Sequence, residues 1–269
     1  MNKPNILITN DDGINALGIQ HLWKALYQQA NVTIVAPLSE KSGSGLSMTL
    51  TKPLLIQKVR WEDNTPAFKV NNGTPSDCVK LALGKVLEKK PDLIVSGINH
   101  GANSGRTPLY SGTVGAVIEG AMRDIPGIAF SCLETEKNAF ATAEKYILPI
   151  VSYVLKNPLP PGSFLNVNFP STLEIRGIKM AKQGLGYWLD NPVERTHPEG
   201  HSYYWLSCKL AAFTENEESD VALLEQGYIT AVPINVNELT DLKHFQAKKE
   251  LFEESFQNLF RTETIEQAP

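Results

Sequence analysis

Short apolar runs alternate with amphipathic segments through the first half of the chain. The apolar runs predict strands and the amphipathic segments predict helices, in the order strand 5–9, helix 18–30, strand 32–36, helix 75–90, strand 93–96, helix 112–122 and strand 128–130. Thr74, Pro75 and Asp77 mark the start of the helical segment 75–90: Thr74 as the N-cap, Pro75 as the first helical residue and Asp77 as a favourable charge for the helix dipole. Because strands that are apolar throughout are buried on both faces, the alternation predicts an α/β fold with a mostly parallel sheet between two helical layers. Ligands bind such sheets at the carboxyl ends of the strands.

Two parts of the chain depart from this alternation. Residues 38–75 contain a Ser/Gly loop at 39–47, followed by two segments that predict an antiparallel pair, 54–59 and 67–70. Beyond residue 171, segments 178–181, 203–210 and 228–234 predict a hairpin-rich appendage. We therefore expect a core at 1–170 and a C-terminal segment at 171–269.

The last part of the chain predicts an amphipathic helix with an unpartnered apolar stripe. Its apolar residues stand near helical spacing: Leu242, Phe245, Phe252, Phe256 and Leu259. Such a stripe would be covered by another subunit, so we expect this segment to serve oligomerisation.

Composition narrows the function classes. The chain has 269 residues, of which 42% are apolar and 20% charged, as in an ordinary soluble enzyme. Its formal net charge of −4 argues against nucleic-acid binding, which usually needs a basic excess. The longest apolar stretch, 147–155, contains Pro149 and is no membrane span. Cys78, Cys132 and Cys208 are widely separated, as in a reduced cytoplasmic protein, and no signal-peptide pattern precedes the first strand.

The sharpest chemical feature is a pair of adjacent carboxylates, Asp11 and Asp12, between the first strand and Gly13. Two neighbouring ionised carboxylates repel each other unless a cation holds them. Oxygen ligands of this kind suit a hard divalent ion. An aspartate pair in a turn is also common without a metal, so the pair alone leaves both interpretations open.

Other predicted strand ends carry complementary groups. Residues 96–105 hold three glycines and two asparagines, and the amide oxygen of Asn99 is a hard donor. Ser111-Gly112-Thr113 begins a helix, where free N–H groups form an anion site. The loop 41–45 offers further hydroxyl and N–H donors. Ordinary turns, N-caps and a surface loop would each explain one of these segments alone, and Glu119 is read as a structural carboxylate rather than an acid catalyst.

Five segments together resemble the SurE family of survival-protein nucleotidases: ILITNDDGINALGIQHL, VTIVAPLSEKSGSGLSMTL, NGTPSDCVKLAL, PDLIVSGINHGANSGRTPLYSGTVGAVIEGAM and GYITAVPI. The match is dense over the first half of the chain and thins beyond residue 135 to fragments such as FLNVNFP. The resemblance implies a Rossmann-like core and a C-terminal segment exchanged within a homodimer or homotetramer. It also implies a metal-dependent phosphatase of nucleoside 5′- and 3′-monophosphates, with short polyphosphate as a further substrate of some members.

The resemblance also assigns roles to individual residues. One divalent ion per subunit (Mg²⁺, Mn²⁺ or Ca²⁺) would be held by four residues, which are Asp11, Asp12, Ser42 and Asn99. The phosphate would be bound by Asn103, Ser111, Gly112 and Thr113. Whether Asp11 or Asp12 also takes a proton from the attacking water is open. Leu17 and His100 depart from the family's usual residues, proline and a small residue respectively.

Three other classes fit less well. A receiver domain needs an aspartate at the end of the third parallel strand, where this chain has Ser96-Gly97. A haloacid-dehalogenase phosphatase needs Asp-x-Asp after the first strand, and a dinucleotide site needs G-x-G-x-x-G there. A regulatory module with a metal site and little turnover stays open. His197 and His201 have the spacing of a helical metal pair, but Pro198 and Gly200 between them predict a hairpin tip.

Overall fold

The structure is a computed structural model that describes residues 3–133, 139–172, 174–211 and 213–256. Its strands are β1 (Asn5–Thr9), β2 (Asn31–Pro37), β3 (Leu55–Val59), β4 (Ala67–Asn71), β5 (Leu93–His100), β6 (Gly127–Cys132), β7 (Ser163–Phe169), β8 (Gly177–Met180), β9 (Trp188–Thr196), β10 (Ser202–Leu210) and β11 (Tyr228–Asn235). Its α-helices are α1 (Leu17–Leu26), α2 (Pro75–Leu81), α3 (Gly112–Ala121), α4 (Ala139–Lys156), α5 (Asp220–Glu225) and α6 (Leu242–Phe256). Short 3-10 turns lie at Glu62–Asn64 and Thr107–Leu109, and a π-turn at Ala82–Val86.

One large sheet has the strand order β3-β4-β2-β1-β5-β6-β7-β11-β8. The strands from β4 to β7 in this order are parallel, whereas β3 pairs antiparallel with β4, and β11 pairs antiparallel with β7. β8 runs parallel to β11. The α/β prediction with a mostly parallel sheet is therefore confirmed. Since β1 lies between β2 and β5, the loops that follow these three strands meet at one edge.

The central strands of the sheet are buried on both faces, as their apolar runs predicted. Ile6 and Ile8 of β1 belong to the same core cluster as apolar residues of α1 and α4. On the other face, the side chain of Ile94 in β5 reaches Gly120 of α3. Each fully buried aliphatic side chain of this kind contributes roughly 1.5–3 kcal/mol. The sheet is thus a rigid platform for the loops at its carboxyl edge.

Helix starts were easier to predict than helix ends. Thr74 and Asp77 form a capping box, in which the Asp77 N–H donates to Thr74 Oγ1 at 3.1 Å and the Thr74 N–H to Asp77 Oδ2 at 3.0 Å. The α-helix that follows ends at Leu81 and continues only as the π-turn, while α1 ends at Leu26 instead of residue 30. No helix was predicted for α4, which contains Pro149, and β7 was also not predicted.

The sequence predicted that the C-terminal segments form one appendage, whereas the structure divides them between two sheets. Strands form at all three predicted segments, but β8 and β11 extend the main sheet, and β9 and β10 form a separate hairpin. The predicted boundary at residue 170 stays a prediction. The chain divides into two compact units at Asn235/Val236, and the described part of the second contains the predicted helix, α6. Leu259 lies outside the described residues. None of the described helices has the length and apolarity needed to cross a membrane.

Candidate metal and phosphate site

The residues singled out by the sequence lie together at the carboxyl edge of the sheet. Asp11 and Asp12 follow β1, Ser42 lies in the loop after β2, and Asn99 is near the end of β5. α3 begins beside them with Ser111 as its N-cap. The strand order explains the meeting, because β2, β1 and β5 are neighbours that point the same way.

Asp11 is the best enclosed of the proposed ligands. Its side chain is only 3% exposed, and Oδ1 accepts a hydrogen bond from the Thr113 hydroxyl at 2.5 Å. Its backbone carbonyl accepts the N–H of Lys41 at 2.7 Å. Burial raises the pKa of the Asp11 carboxyl above its usual value, against the opposing effect of the Thr113 hydrogen bond. Asp11 thus links the end of β1, the loop after β2 and the start of α3.

Asp12 turns toward β5 instead. Its Oδ2 accepts the backbone N–H of His100 at 3.4 Å. Burial, followed by repulsion from Asp11, raises the pKa of Asp12 to about 7, and Glu40 adds to the increase. Among the described residues, no lysine or arginine lowers the pKa of either aspartate. Two neighbouring carboxylates held in this way lack a compensating positive charge, which a bound cation would supply.

The loop after β2 brings a carboxylate that sequence reasoning missed. Ser42 Oγ donates to Glu40 Oε1 at 2.6 Å, and Glu40 is close enough to raise the pKa of both aspartates. Its position two residues before Ser42 was the available signal.

Asn99, near the end of β5, donates from Nδ2 to the carbonyl of Gly101 at 2.7 Å. This hydrogen bond leaves Oδ1 as the group that Asn99 offers to a cation.

Asn103 is held by a buried cage of polar groups. Its backbone N–H donates to Asn168 Oδ1 and its Nδ2 donates to Ser131 Oγ, both at 2.7 Å. Its carbonyl accepts Nδ2 of Asn166 at 2.7 Å and Nδ2 of Asn168 at 3.2 Å. Asn166 and Asn168 stand two residues apart in the mostly apolar strand β7, which places them on one face. That spacing was readable in FLNVNFP, but no role was predicted from it.

The start of α3 leaves no room for a side chain at its first residue. A Cβ on Gly112 would lie 2.7 Å from Ser44 Oγ and 2.8 Å from Asp11 Cβ. Ser111 caps the helix by accepting the N–H of Val114 at 3.2 Å. The buried Ser44 hydroxyl has no hydrogen-bond partner among the described residues. A helix N-terminus beside an unpaired hydroxyl offers donors to an anion.

These groups face a cavity of about 550 Å³. Its polar lining includes Asp11, Ser42, Asn99, Asn103 and Ser111. Its lining also includes residues that sequence reasoning missed, namely Leu133 after β6, Trp188 in β9, and Val221, Leu224 and Glu225 of α5. His100 also lines the cavity, whereas Asp12, Gly112 and Thr113 do not. The missed residues come from distant parts of the sequence, so no local pattern marked them.

The donor set fits a hard divalent ion. The groups that converge are carboxylates, a hydroxyl and an amide oxygen, which are the ligands that Mg²⁺, Mn²⁺ and Ca²⁺ take in proteins. Glu119 stands apart from this set, because its buried carboxylate forms ion pairs with Lys80 at 2.6 Å and with Arg123. Its structural interpretation is confirmed.

A buried carboxylate beyond the predicted set ties two loops near the cavity together. Asp220 at the start of α5 accepts the N–H of Gly105 at 3.0 Å and the N–H of Gly184 at 2.8 Å. Gly105 ends the loop that carries Asn103, and Gly184 precedes the cavity-lining Trp188. Asp220 therefore holds the C-terminal part of the cavity against the β5–α3 loop.

An α/β sheet with carboxylate, hydroxyl and amide oxygens beside a helix start at its carboxyl edge fits a phosphoryl-group hydrolase. The chain belongs to the SurE family, since the model described as "Survival protein SurE" matches residues 6–190. A relative in Protochlamydia amoebophila, named 5′-nucleotidase SurE, is 50% identical over 93% of this chain and 97% of its own length. A relative of the same name in Bacteroides thetaiotaomicron is 44% identical over 87% of this chain and 91% of its own length.

The solved structures include a close match as well. The crystal structure of the SurE protein from Aquifex aeolicus superposes with a TM-score of 0.80 at 37% sequence identity. The alignment covers 93% of this chain and all of the Aquifex chain, 100%. The resemblance noted in the sequence is therefore confirmed for family and fold.

Proposed function

We propose that this chain is a divalent-metal-dependent 5′-nucleotidase, which hydrolyses nucleoside 5′-monophosphates to nucleoside and phosphate. Full-length relatives that carry the name 5′-nucleotidase SurE support this activity. The observation that carries the chemistry is the buried pair Asp11–Asp12, which lies beside the start of α3 and has no cationic partner among the described residues.

The metal would be held by Asp11, Asp12, Ser42 and Asn99, one ion per subunit. The chemistry that a bound divalent cation supplies is neutralisation of phosphoryl charge and acidification of a water molecule. Thr113 acts through Asp11, because its hydroxyl donates to Oδ1 and holds that carboxylate in place. The proton released when water attacks phosphorus passes, in this proposal, to one of the two aspartates.

Phosphate binding would fall to Asn103 and the start of α3. The caged backbone of Asn103 holds that residue against the cavity. Ser111 and the N–H groups of the first helical turn are donors on the same side, and Gly112 keeps the approach open because any side chain there would collide with Asp11. The free hydroxyl of Ser44 adds a further donor.

The nucleoside would occupy the remainder of the cavity. Leu133, Trp188, Val221 and Leu224 give it an apolar lining, and in this proposal the base would stack on the indole of Trp188. A volume of about 550 Å³ lies within the usual range of small-molecule sites. A regulatory module with slow turnover is not favoured, since the relatives are named as enzymes.

Three finer features belong to the same proposal. Nucleoside 3′-monophosphates and short polyphosphate would be further substrates, as the family resemblance implies. The protein would work in the cytoplasm as a homodimer or homotetramer, with the segment from residue 171 at the subunit contacts. The exposed apolar residues of α6, Leu242, Phe245, Leu251 and Phe252, support that role.

The test is phosphate release from AMP and GMP by the purified full chain with Mn²⁺ or Mg²⁺, with and without a chelator. Asp11→Asn and Asn99→Ala should each lose most of the rate while the fold persists in circular dichroism. Asp63→Asn, in an exposed turn, is the matched control and should keep full activity. Hydrolysis that withstands the chelator, or wild-type rates in both site variants, would refute the proposal.

A second assay separates the enzyme from a receiver-like module. Incubation with acetyl phosphate should leave no phosphoprotein, because the strand β5 carries Ser96-Gly97 where a receiver has its phosphorylated aspartate. A stable phosphoprotein together with absent AMP hydrolysis would favour the regulatory module.

A further inference from the structure

The tip of the β9–β10 hairpin is a tightly built turn that carries two histidines. The last ladder pair is Thr196–Ser202. Beyond it, the His197 N–H donates to the His201 carbonyl at 2.9 Å and the Gly200 N–H donates to the His197 carbonyl at 2.8 Å. Gly200 has φ of +88°, which is the left-handed conformation of the glycine in a bulged hairpin turn.

This backbone places the two imidazoles face to face. The ring centroids of His197 and His201 are 4.4 Å apart, with an angle of 16° between the ring planes. The hairpin tip predicted from Pro198 and Gly200 is therefore confirmed. The rings nevertheless come together without helical spacing, because the two residues flank a closed turn and oppose each other across the hairpin.

The carboxylate of Glu199 lies close to the two rings. The Glu199 N–H donates to Nδ1 of His197 at 3.2 Å, and Glu199 Oε2 lies 3.9 Å from the same nitrogen. Potential ligand atoms of His197, Glu199 and His201 all lie within 4.8 Å of one another. Among the described residues, no other group of three His, Cys, Asp or Glu side chains converges in this way.

We propose that His197, Glu199 and His201 form a second metal site, selective for a first-row transition-metal ion such as Zn²⁺. Two imidazoles and one carboxylate are a ligand set that Zn²⁺ takes in proteins, whereas Mg²⁺ and Ca²⁺ need an oxygen cage. With three protein ligands, a tetrahedral ion keeps one position open for water or for a ligand from another molecule.

The turn reduces the cost of forming the site. Pro198 fixes one backbone dihedral between the ligands, and the two closing hydrogen bonds hold His197 opposite His201 before any ion binds. The His197 side chain is 45% exposed, so an ion can reach it from solvent. Binding then needs only side-chain rotations rather than rearrangement of the backbone.

The site differs in ligand chemistry from the oxygen cluster at the carboxyl edge of the sheet, and this difference gives the test. The untagged full chain is titrated with Zn²⁺ by calorimetry in a large excess of Mg²⁺, which occupies the oxygen cluster. The wild type should bind Zn²⁺ at least tenfold more tightly than His197→Ala or His201→Ala, and the double variant should lose one equivalent. Glu199→Gln should weaken binding less than either histidine change.

Two controls keep the experiment decisive. His244→Ala removes an exposed histidine from α6 and should leave the Zn²⁺ isotherm unchanged. Electron paramagnetic resonance of the Cu²⁺-loaded wild type should show coupling to two imidazole nitrogens, reduced in His201→Ala. An isotherm for the double variant that matches the wild type would overturn the proposal, and AMP hydrolysis plays no part in the outcome.

Discussion

The Thr113 hydroxyl, on the first turn of α3, donates a hydrogen bond to Oδ1 of Asp11 at 2.5 Å. Thr113 has no exposed surface, and Asp11 is buried at the end of β1. The contact fixes the orientation of a carboxylate that is proposed to bind the metal. It also joins the helix start, which is proposed to bind phosphate, to the carboxylate cluster, so that the two halves of the site share one buried link.

Replacing Thr113 tests this link. Thr113→Val keeps the side-chain shape and removes the donor, whereas Thr113→Ser keeps the hydroxyl. A hydrogen bond to a charged group contributes about 1.5–3 kcal/mol, so Thr113→Val should lower kcat/KM or metal affinity roughly tenfold to a hundredfold. Steady-state kinetics at several Mn²⁺ concentrations measures both quantities. Equal losses in the valine and serine variants would show that the hydroxyl is not responsible.

Gly112→Ala should disturb the site by steric collision, because it adds a Cβ where no space is available. The added Cβ would meet Asp11 Cβ at 2.8 Å and Ser44 Oγ at 2.7 Å, so Asp11 must shift. We expect activity to fall by more than tenfold with a small change in melting temperature. Gly84→Ala is the matched control, because no atom lies within 4 Å of a Cβ there. Full activity in Gly112→Ala would show that the crowded approach is unimportant.

Asn168→Ala should loosen the loop that carries Asn103. The change leaves the buried N–H of Asn103 without its acceptor, which costs about 1–3 kcal/mol of stability. Because Asn103 is proposed to hold phosphate, KM for AMP should also rise. Urea unfolding and steady-state kinetics measure the two effects. Asn157→Ala, an exposed residue that bonds to the carbonyl of Tyr153, should change neither by much; an unchanged KM in Asn168→Ala would contradict the positioning role.

The capping box predicts a pH dependence of stability. Burial pushes the pKa of Asp77 upward, but hydrogen bonds from Thr74 and Thr49 outweigh it and lower the pKa below its usual value. The Asp77 carboxylate therefore stabilises the folded state above the unfolded pKa, and this stabilisation is lost as the pH falls through the folded pKa.

Asp77→Asn should consequently be less stable than the wild type at pH 7, by roughly 1–2 kcal/mol. The difference should begin to shrink below about pH 4, where the carboxyl of the unfolded chain becomes protonated, and it should be lost as the pH falls through the lower pKa of the folded state. Urea unfolding of both proteins between pH 3 and pH 7 measures the gap. A gap that stays constant over this range would mean that the charge of Asp77 contributes nothing.

Glu119→Gln should reduce stability and leave catalysis intact. The change removes one partner of a buried ion pair with Lys80 and Arg123, and breaking such pairs costs roughly 3–5 kcal/mol. Since the side chains of Lys80 and Arg123 are both partly exposed, the loss of stability should lie at the lower end of this range. The rate per folded molecule should match the wild type at a temperature where both are folded; a specific loss of kcat would instead give Glu119 a role in the reaction.

Local patterns predicted the elements well where one signal dominated. The continuous apolar runs at β1, β2 and β5 correctly predicted buried parallel strands, and Thr74 correctly predicted a helix start. α4 was missed because Pro149 interrupts its pattern, although the rest of the helix packs on the sheet. β8 and β11 were expected outside the core, because short strands do not reveal their partners.

The residues of the candidate site likewise fall into those that a local pattern predicted and those that it did not. Asp11 and Asp12 follow a strand, Asn99 lies near the end of one, and Ser111 caps a helix. The rule that strand ends meet at one edge was enough to bring them together. Glu40 was overlooked beside Ser42. Trp188 and Leu224 come from parts of the chain that approach the edge only through tertiary packing, so their place in the cavity had no sequence signal.

The sequence by itself determined the parallel α/β core, the family and the oxygen-rich cluster after β1, because apolar periodicity and closely spaced polar groups act locally. Only the tertiary structure decided which of these side chains contact one another. It paired Thr113 with Asp11, enclosed Asn103 between Asn166 and Asn168, and set His197 against His201. These contacts join residues through hydrogen bonds and turns whose partners are chosen by packing, and packing is a property of the whole fold.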